Sequence, residues 1–249
     1  MAGGSLSNWA RLCSAPRVIA SRAFVVLVLL ASPAAAGQRV SIELVLAVDV
    51  SLSVNDIEYA LQMKGMAAAF RDKDVIDLIR QHKYGVAVTM TQWSGTYDAD
   101  QPIPWHRLTD EASALALADM ISVVPRRAMS NYTGLGHAIA FASDLIDSNE
   151  FVGDERKIDV SGDGRNNTGP EPSQMREAAA ARDITINGLA ITNNDPGLAG
   201  YYSANVIGGP AAFVIQATDF EAFAEAFRRK LKRELSPKIA LFAAGTGHQ

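Results

Sequence analysis

Three oxygen-bearing side chains stand at alternate positions after one strongly apolar segment: Asp49, Ser51 and Ser53. The segment before them, residues 44–48, is an unbroken apolar run rich in branched side chains. Such a run favours a strand that is buried on both faces of a parallel sheet. At the carboxyl end of that strand, a carboxylate and two hydroxyls would face the crevice where open α/β sheets bind ligands. Oxygen ligands alone suit a hard divalent cation, Mg²⁺ before Mn²⁺ or Ca²⁺.

This string by itself also fits an Asx-type turn that leads into a helix N-cap, and two later segments favour the metal. Thr133 stands at the start of a predicted helix, and Asp163 follows a predicted strand at residues 157–161. In a doubly wound sheet, the loops that follow the strands share one rim. The residues expected to meet there are Asp49, Ser51, Ser53, Thr133 and Asp163.

Strand and helix patterns alternate along the chain, which indicates an α/β fold with a doubly wound, mostly parallel central sheet flanked by helices. Strands are predicted at residues 44–48, 84–90, 157–161, 184–191 and 212–217. An antiparallel edge strand is predicted at residues 103–108, where prolines are tolerated. Helices are predicted at residues 55–70, 110–123, 133–147, 170–182 and 219–235.

The first 36 residues are typical of a secretion signal. Three arginines precede a short apolar segment at residues 23–31, and Ala34 to Ala36 offers a cleavage site. An uncleaved N-terminal anchor is the alternative, although the apolar segment is shorter than the ~20 residues of a membrane span. We therefore expect an exported protein, periplasmic or secreted, with a signal peptide at 1–36, one domain at 37–235 and a tail at 236–249.

Composition narrows the classes of partner. The whole chain has a formal charge of −4, and loss of residues 1–36 removes three arginines and no acid, which leaves −7. No basic stripe supports binding to nucleic acid, and no membrane span is expected after signal removal. The single cysteine, Cys13, lies in the expected signal, so the remaining chain has no disulfide.

The three segments together resemble the von Willebrand factor type A (VWA) domain, the fold of integrin inserted domains, with its metal-ion-dependent adhesion site. Asp49, Ser51 and Ser53 match the family's Asp-x-Ser-x-Ser, and Thr133-x-x-Gly136-x-Ala138 matches its helix start. Asp163 matches the aspartate of the family's Thr-Asp-Gly, with Gly162 in place of the threonine. The resemblance covers residues 42–235, and the Val-Ser-Gly-Asp-Gly wording with an export signal is similar to an uncharacterised bacterial branch of this fold.

The resemblance implies direct binding of Mg²⁺ by the hydroxyls of Ser51, Ser53 and Thr133, with Asp49 and Asp163 acting partly through water. Two carboxylates roughly neutralise the dication, and neutral hydroxyls leave it attractive to an incoming anion. An acidic side chain of a protein partner is the expected sixth ligand. The predicted function is therefore non-catalytic docking, and the resemblance to bacterial members implies a periplasmic location.

Two other functions fit parts of the sequence. Residues 162–167 are similar to the Gly-Asp-Gly-x-x-Asp loop of haloacid-dehalogenase-type phosphohydrolases, in which Asp49 would be the nucleophile. Those enzymes need a second aspartate two residues later as acid and base, where this chain has Ser51, and their final Asp is Asn167 here. A structural module that has lost its metal is the third interpretation, and five intact ligand positions disfavour it.

Several polar and aromatic residues remain outside the predicted site. Asp159 interrupts an apolar strand, so it is either a structural acid with a partner or a support for the metal loop. Trp93, Tyr132, Tyr201 and Tyr202 are expected in rim loops, where aromatic side chains could anchor a partner or simply pack. The basic runs at residues 126–127 and 228–233 are interpreted as solvated faces.

Overall fold

The computed structural model describes residues 37–127 and 130–237. Residues 1–36 and most of the predicted tail lie outside the described residues, so the signal peptide, the tail and the domain limits they imply stay predictions. Within the described residues, no helix is both long and apolar enough to cross a membrane.

A six-stranded sheet lies at the centre of the described chain. Its strands, in chain order β1 to β6, are Gln38–Asp49, Val86–Trp93, Ala99–Leu108, Phe151–Gly162, Ile184–Ile191 and Val214–Ala217. Their spatial order is β3-β2-β1-β4-β5-β6, and β3 alone runs antiparallel to its neighbour. This arrangement confirms the predicted α/β fold, including the antiparallel edge strand.

Seven helices cover the two faces of the sheet. One face carries α1 (Asp56–Phe70), α2 (Lys73–Gln81), α3 (Glu111–Val123) and α7 (Phe223–Leu235); the other carries α4 (Leu135–Asp147), α5 (Pro172–Ala180) and α6 (Leu198–Asn205). Alternate residues of β1 enter the two cores: Leu44 and Leu46 pack beneath α1, whereas Val45 and Ala47 pack beneath α4. Residues 44–48 of β1 are therefore buried on both faces of the sheet, which explains why this part of the strand is continuously apolar.

Several strands are longer than the sequence predicted, and the structure contains two helices that were not predicted. β1 and β4 begin earlier than expected, β2 continues to Trp93, and the short helices α2 and α6 were not predicted. Asp72 begins α2 by accepting hydrogen bonds from the amides of Asp74 and Val75 at 3.0 and 3.3 Å. Asp219 does not directly cap α7 but accepts a hydrogen bond from the amide of its N-cap residue, Ala222, at 2.7 Å.

A charged cluster is buried between the sheet and α7. Lys230 Nζ lies 2.6 Å from Asp159 Oδ1 and 2.7 Å from Glu234 Oε1, and all three side chains are at most 1% exposed. Asn187 donates a further hydrogen bond to Glu234 Oε1 at 2.9 Å. We call Asp159 and Glu234 the mid-sheet pair. Asp159 is therefore a structural acid with a built-in cation, and the interpretation of residues 228–233 as a solvated face is wrong for Lys230.

Candidate metal centre

The carboxyl ends of β1 and β4 bring two aspartates to one rim of the sheet. β1 and β4 are neighbouring parallel strands, with Val48 opposite Ser161, so the residues that follow them leave the sheet side by side. Asp49 ends β1 and is fully buried; Asp163 follows β4 and is 4% exposed. We call Asp49 and Asp163 the strand-end pair.

The loop after β1 connects the two carboxylates through its serines. The Ser51 amide donates to Asp49 Oδ1 at 2.8 Å, which folds the loop into an Asx-type turn. Ser51 Oγ and Ser53 Oγ lie 3.0 Å apart, and Ser53 Oγ donates to Asp163 Oδ1 at 2.7 Å. The loop leads directly into α1, whose N-cap Asn55 accepts hydrogen bonds from two helix amides. The predicted turn before a helix cap is thus confirmed, and the same turn brings the side-chain oxygens of Asp49, Ser51 and Ser53 close together.

Thr133 reaches the same rim from the loop before α4. Its amide donates to Asn167 Oδ1 at 2.8 Å, and the Asn167 amide donates to the Thr133 carbonyl at 2.9 Å. A methyl group placed on Gly164 would lie 3.2 Å from Thr133 Oγ1, so the hydroxyl lies directly over the residue next to Asp163. The structure therefore brings the five predicted residues together, from three separate segments.

Charge compensation is missing at the strand-end pair. Asp49 Oδ2 and Asp163 Oδ2 are both buried and have no hydrogen-bond partner among the described residues. No lysine, arginine or histidine of the described chain forms an ion pair with either carboxylate. Burial raises the pKa of Asp49 to about 7, and the nearby Asp163 carboxylate raises it further. Burial also raises the pKa of Asp163, and Glu58 adds to that rise.

The chemistry of these donors fits a hard divalent cation. Two carboxylate oxygens lack partners and three hydroxyls lie beside them, which is an all-oxygen set. Among the described residues, no three His, Cys, Asp or Glu side chains are grouped to hold a metal, so a cation here would depend on the hydroxyls. That these five residues hold a metal stays a prediction.

Two residues that support the site were not recognised in the sequence. Arg126, predicted on a solvated face, is mostly buried; its guanidinium donates to the Ser51 carbonyl at 3.1 Å and to the Val54 carbonyl, and pairs with Asp56 at 2.7 Å. Asn167 fastens the Thr133 loop to the loop after β4. Neither role follows a local pattern, because each depends on contacts with a distant segment of the chain.

The aromatic residues expected in rim loops differ in burial, and Tyr201, which lies on α6, is partly buried. Trp93 and Tyr202 are buried, because β2 continues through Trp93 and α6 holds Tyr202 against the sheet. Tyr132 is 58% exposed next to Thr133, and Leu52 is 55% exposed between the two serines. Two exposed apolar side chains therefore flank the predicted ligands.

Comparison with known proteins places the chain in a family. A family model described as "Protein of unknown function (DUF1194)" matches residues 39–239. None of the curated proteins matches the chain.

Solved structures share the fold at low sequence identity. Proximal thread matrix protein 1 from the mussel byssus is 14% identical with a TM-score of 0.57, over 80% of this chain and 47% of that one. The pilus adhesin SpaC from Lactobacillus rhamnosus GG is 12% identical with a TM-score of 0.56, over 78% and 30%. A von Willebrand factor type A protein from Catenulispora acidiphila is 19% identical with a TM-score of 0.51, over 78% and 42%. The chain thus has the VWA fold and spans less than half the length of each of these proteins.

Proposed function

We propose that this chain, which belongs to the DUF1194 family of proteins of unknown function, binds a divalent cation at Asp49, Ser51, Ser53, Thr133 and Asp163 and docks an acidic group of a protein partner there. Mg²⁺ is the proposed cation, with Mn²⁺ and Ca²⁺ as alternatives that the same oxygen set would accept. We also propose export, to the periplasm or outside the cell, directed by residues 1–36.

One observation carries the proposal. Two buried carboxylates lie at one rim, each with an oxygen that has no partner, and no cationic side chain of the described chain compensates them. Buried charges in proteins are normally paired or coordinate a metal. A solved form of the mussel protein, 14% identical with a TM-score of 0.57, has a "zinc occupied MIDAS motif", which supports a divalent ion at the equivalent rim of this fold.

A cation at this rim would supply a positive charge beside two buried carboxylates and two exposed apolar side chains. The chain's own residues hold the site from below, since Asp49 and Ser51 are buried, and leave it open above, where Ser53 is exposed. Exposed Leu52 and Tyr132 flank the opening and offer apolar contact to whatever carries the anion. An aspartate or glutamate beside apolar residues is the partner that this surface fits.

The arrangement supports docking better than catalysis. A phosphohydrolase with Asp49 as nucleophile would need an acid and base where Ser51 stands, and the Ser51 hydroxyl lies 3.0 Å from that of Ser53. Asp49 Oδ1 already accepts the Ser51 amide, and the whole carboxylate is buried. Hydrolysis of a generic phosphate ester that is abolished by Asp49→Asn would contradict the docking proposal.

Capture of a partner tests the docking function. The purified protein is immobilised and exposed to an extract of the exporting cell, once in Mg²⁺ and once in EDTA. Two variants are treated in the same way: Asp49→Ala, and the control Glu177→Ala, whose carboxylate is exposed on α5. The expected partner is recovered by wild type and by the control in Mg²⁺ only, and replacing one of its acidic residues by the amide abolishes recovery. Recovery that survives both EDTA and Asp49→Ala would contradict the proposal.

A further inference from the structure

Tyr202 presents a buried hydroxyl that the fold itself does not explain. It lies on α6, is fully buried, and its oxygen has no hydrogen-bond partner among the described residues. A buried polar atom without a partner costs stability, so such a group in a folded protein calls for a reason. A phenylalanine would fill the same space without that cost.

Two glycines on neighbouring strands make the space for this ring. Gly162 on β4 and Gly188 on β5 lie on the sheet face that carries α6, along with Val160 and Ile186. A methyl group on Gly188 would lie 2.8 Å from Tyr202 Cδ1, and one on Gly162 would lie 2.9 Å from the Tyr202 hydroxyl oxygen. The ring therefore lies over Gly188, and its hydroxyl reaches Gly162.

The same small space above Gly162 holds the second oxygen without a partner. A methyl group on Gly162 would lie 2.8 Å from Asp49 Oδ2, which is itself buried and unpartnered. A hydroxyl donor and a carboxylate acceptor thus line one space over a residue that has no side chain. Gly162 is also the position where the sequence departs from the threonine of the VWA pattern.

We propose that Tyr202 is a positioning residue for the cation site: its hydroxyl donates to Asp49 Oδ2 through one water molecule and holds that carboxylate in the orientation the cation requires. This inference rests on the proposed function. Asp49 Oδ1 accepts the Ser51 amide at 2.8 Å, and a donor at Oδ2 restrains the other oxygen of the same carboxylate. A phenol does this without adding a charge. Gly162 is required because any side chain there would separate the two groups.

The first test is the affinity for Mg²⁺, measured by titration calorimetry on wild type, Tyr202→Phe and the control Tyr201→Phe, whose ring is adjacent and only partly buried. Groups that orient a metal ligand typically contribute about 10- to 100-fold to metal affinity. Tyr202→Phe is expected to weaken Mg²⁺ binding by at least about tenfold, while Tyr201→Phe leaves it unchanged. Wild-type affinity in Tyr202→Phe overturns the proposal.

The second test needs no metal. We measure the free energy of unfolding by denaturant in EDTA for wild type, Tyr202→Phe, Asp49→Asn and the double variant. In this double-mutant cycle, the changes in unfolding free energy add if the two residues do not interact. We expect the shifts to be non-additive, and additive shifts overturn the pairing. If wild type binds no Mg²⁺ although the cycle is non-additive, the proposed function fails and the coupling between Tyr202 and Asp49 stands. If Mg²⁺ binds wild type and Tyr202→Phe equally, the function stands and the positioning role fails.

Discussion

The domain buries two pairs of carboxylates and compensates only one of them from within. The mid-sheet pair, Asp159 and Glu234, shares Lys230, whose ammonium lies within 2.7 Å of both. The strand-end pair, Asp49 and Asp163, has hydroxyls and amides beside it but no cation of the described chain. Burial raises the pKa of both Asp49 and Asp159 to about 7. The two pairs are similarly buried but differently compensated, and the proposed cation would supply the positive charge that the strand-end pair lacks.

The location of the two pairs fits this difference in role. Asp159 lies on β4 beneath α7, and α7 carries both Lys230 and Glu234, so the lysine reaches both carboxylates inside the domain. The strand-end pair lies at the carboxyl rim of the parallel strands, where the chain leaves the sheet and exposed Ser53 opens the site to solvent. A fixed lysine makes a permanent ion pair, whereas an exchangeable cation makes a contact that depends on ion concentration.

Removing the built-in cation should have the largest effect. Lys230→Met leaves Asp159 and Glu234 buried without a counter-charge, and breaking a buried pair in this way costs about 3–5 kcal/mol of unfolding free energy. Lys232→Met is the matched control, because Lys232 forms partly exposed pairs with Asp72 and Asp74 that contribute about 0–1 kcal/mol. Denaturant unfolding measures both. Equal losses in the two variants would show that Lys230 does not compensate the mid-sheet pair.

Neutralising one aspartate of each pair should change stability in opposite directions. In EDTA at pH 8, Asp49→Asn removes an uncompensated buried charge and is expected to raise the unfolding free energy, by about 1–3 kcal/mol. Asp159→Asn removes a partner of Lys230 and is expected to lower it by a similar amount. Thermal and denaturant unfolding of the two variants provide the comparison. Destabilisation by both substitutions would mean that Asp49 is already compensated in the metal-free protein.

The pH should act oppositely on stability and on metal affinity. Burial in the folded state raises the pKa of Asp49 to about 7, compared with about 4 in the unfolded chain. The stability that Asp49 contributes is therefore fully present below pH about 4 and is lost as the pH rises to about 7. Mg²⁺ binds the ionised carboxylate, so its apparent affinity should increase by up to about tenfold per pH unit between pH 5 and 7 and then level off. Calorimetry in two buffers of different ionisation enthalpy counts the protons released. An Mg²⁺ affinity independent of pH over this range would show that no carboxylate with a raised pKa takes part in binding the cation.

The sequence predicted the candidate site best where polar side chains come directly after a recognisable strand or before a recognisable helix. Residues 44–48 predicted β1, and Asp49, Ser51 and Ser53 follow that apolar run closely, so the strand and its candidate ligands were predicted together. Thr133 and Asp163 were recognised because each stands at the predicted start or end of an element. Their meeting at one rim follows from the parallel order of the strands, a property of the fold class.

The sequence did not predict partnerships between distant residues. Asp159 was recognised as a buried acid, but Lys230 lies in a run of basic residues, where only packing against the sheet distinguishes it from its exposed neighbours. Tyr202 was expected in a loop, whereas the structure places it on α6, a short helix that contains Gly200 and has no side-chain cap at its start. Arg126 and Asn167 bind backbone groups of other segments, and such contacts leave no periodic pattern.

Titration of Mg²⁺ into the purified protein tests the cation at the strand-end pair most directly, with Asp49→Ala and Asp159→Asn titrated in parallel. We expect one Mg²⁺ to bind wild type, binding to be lost in Asp49→Ala, and binding to persist in Asp159→Asn, whose carboxylate already has its lysine. Bound Mg²⁺ should also raise the unfolding temperature of wild type, because a ligand that binds the folded state stabilises it. Absence of binding to wild type, or equal binding to Asp49→Ala, would contradict a cation site at Asp49 and Asp163.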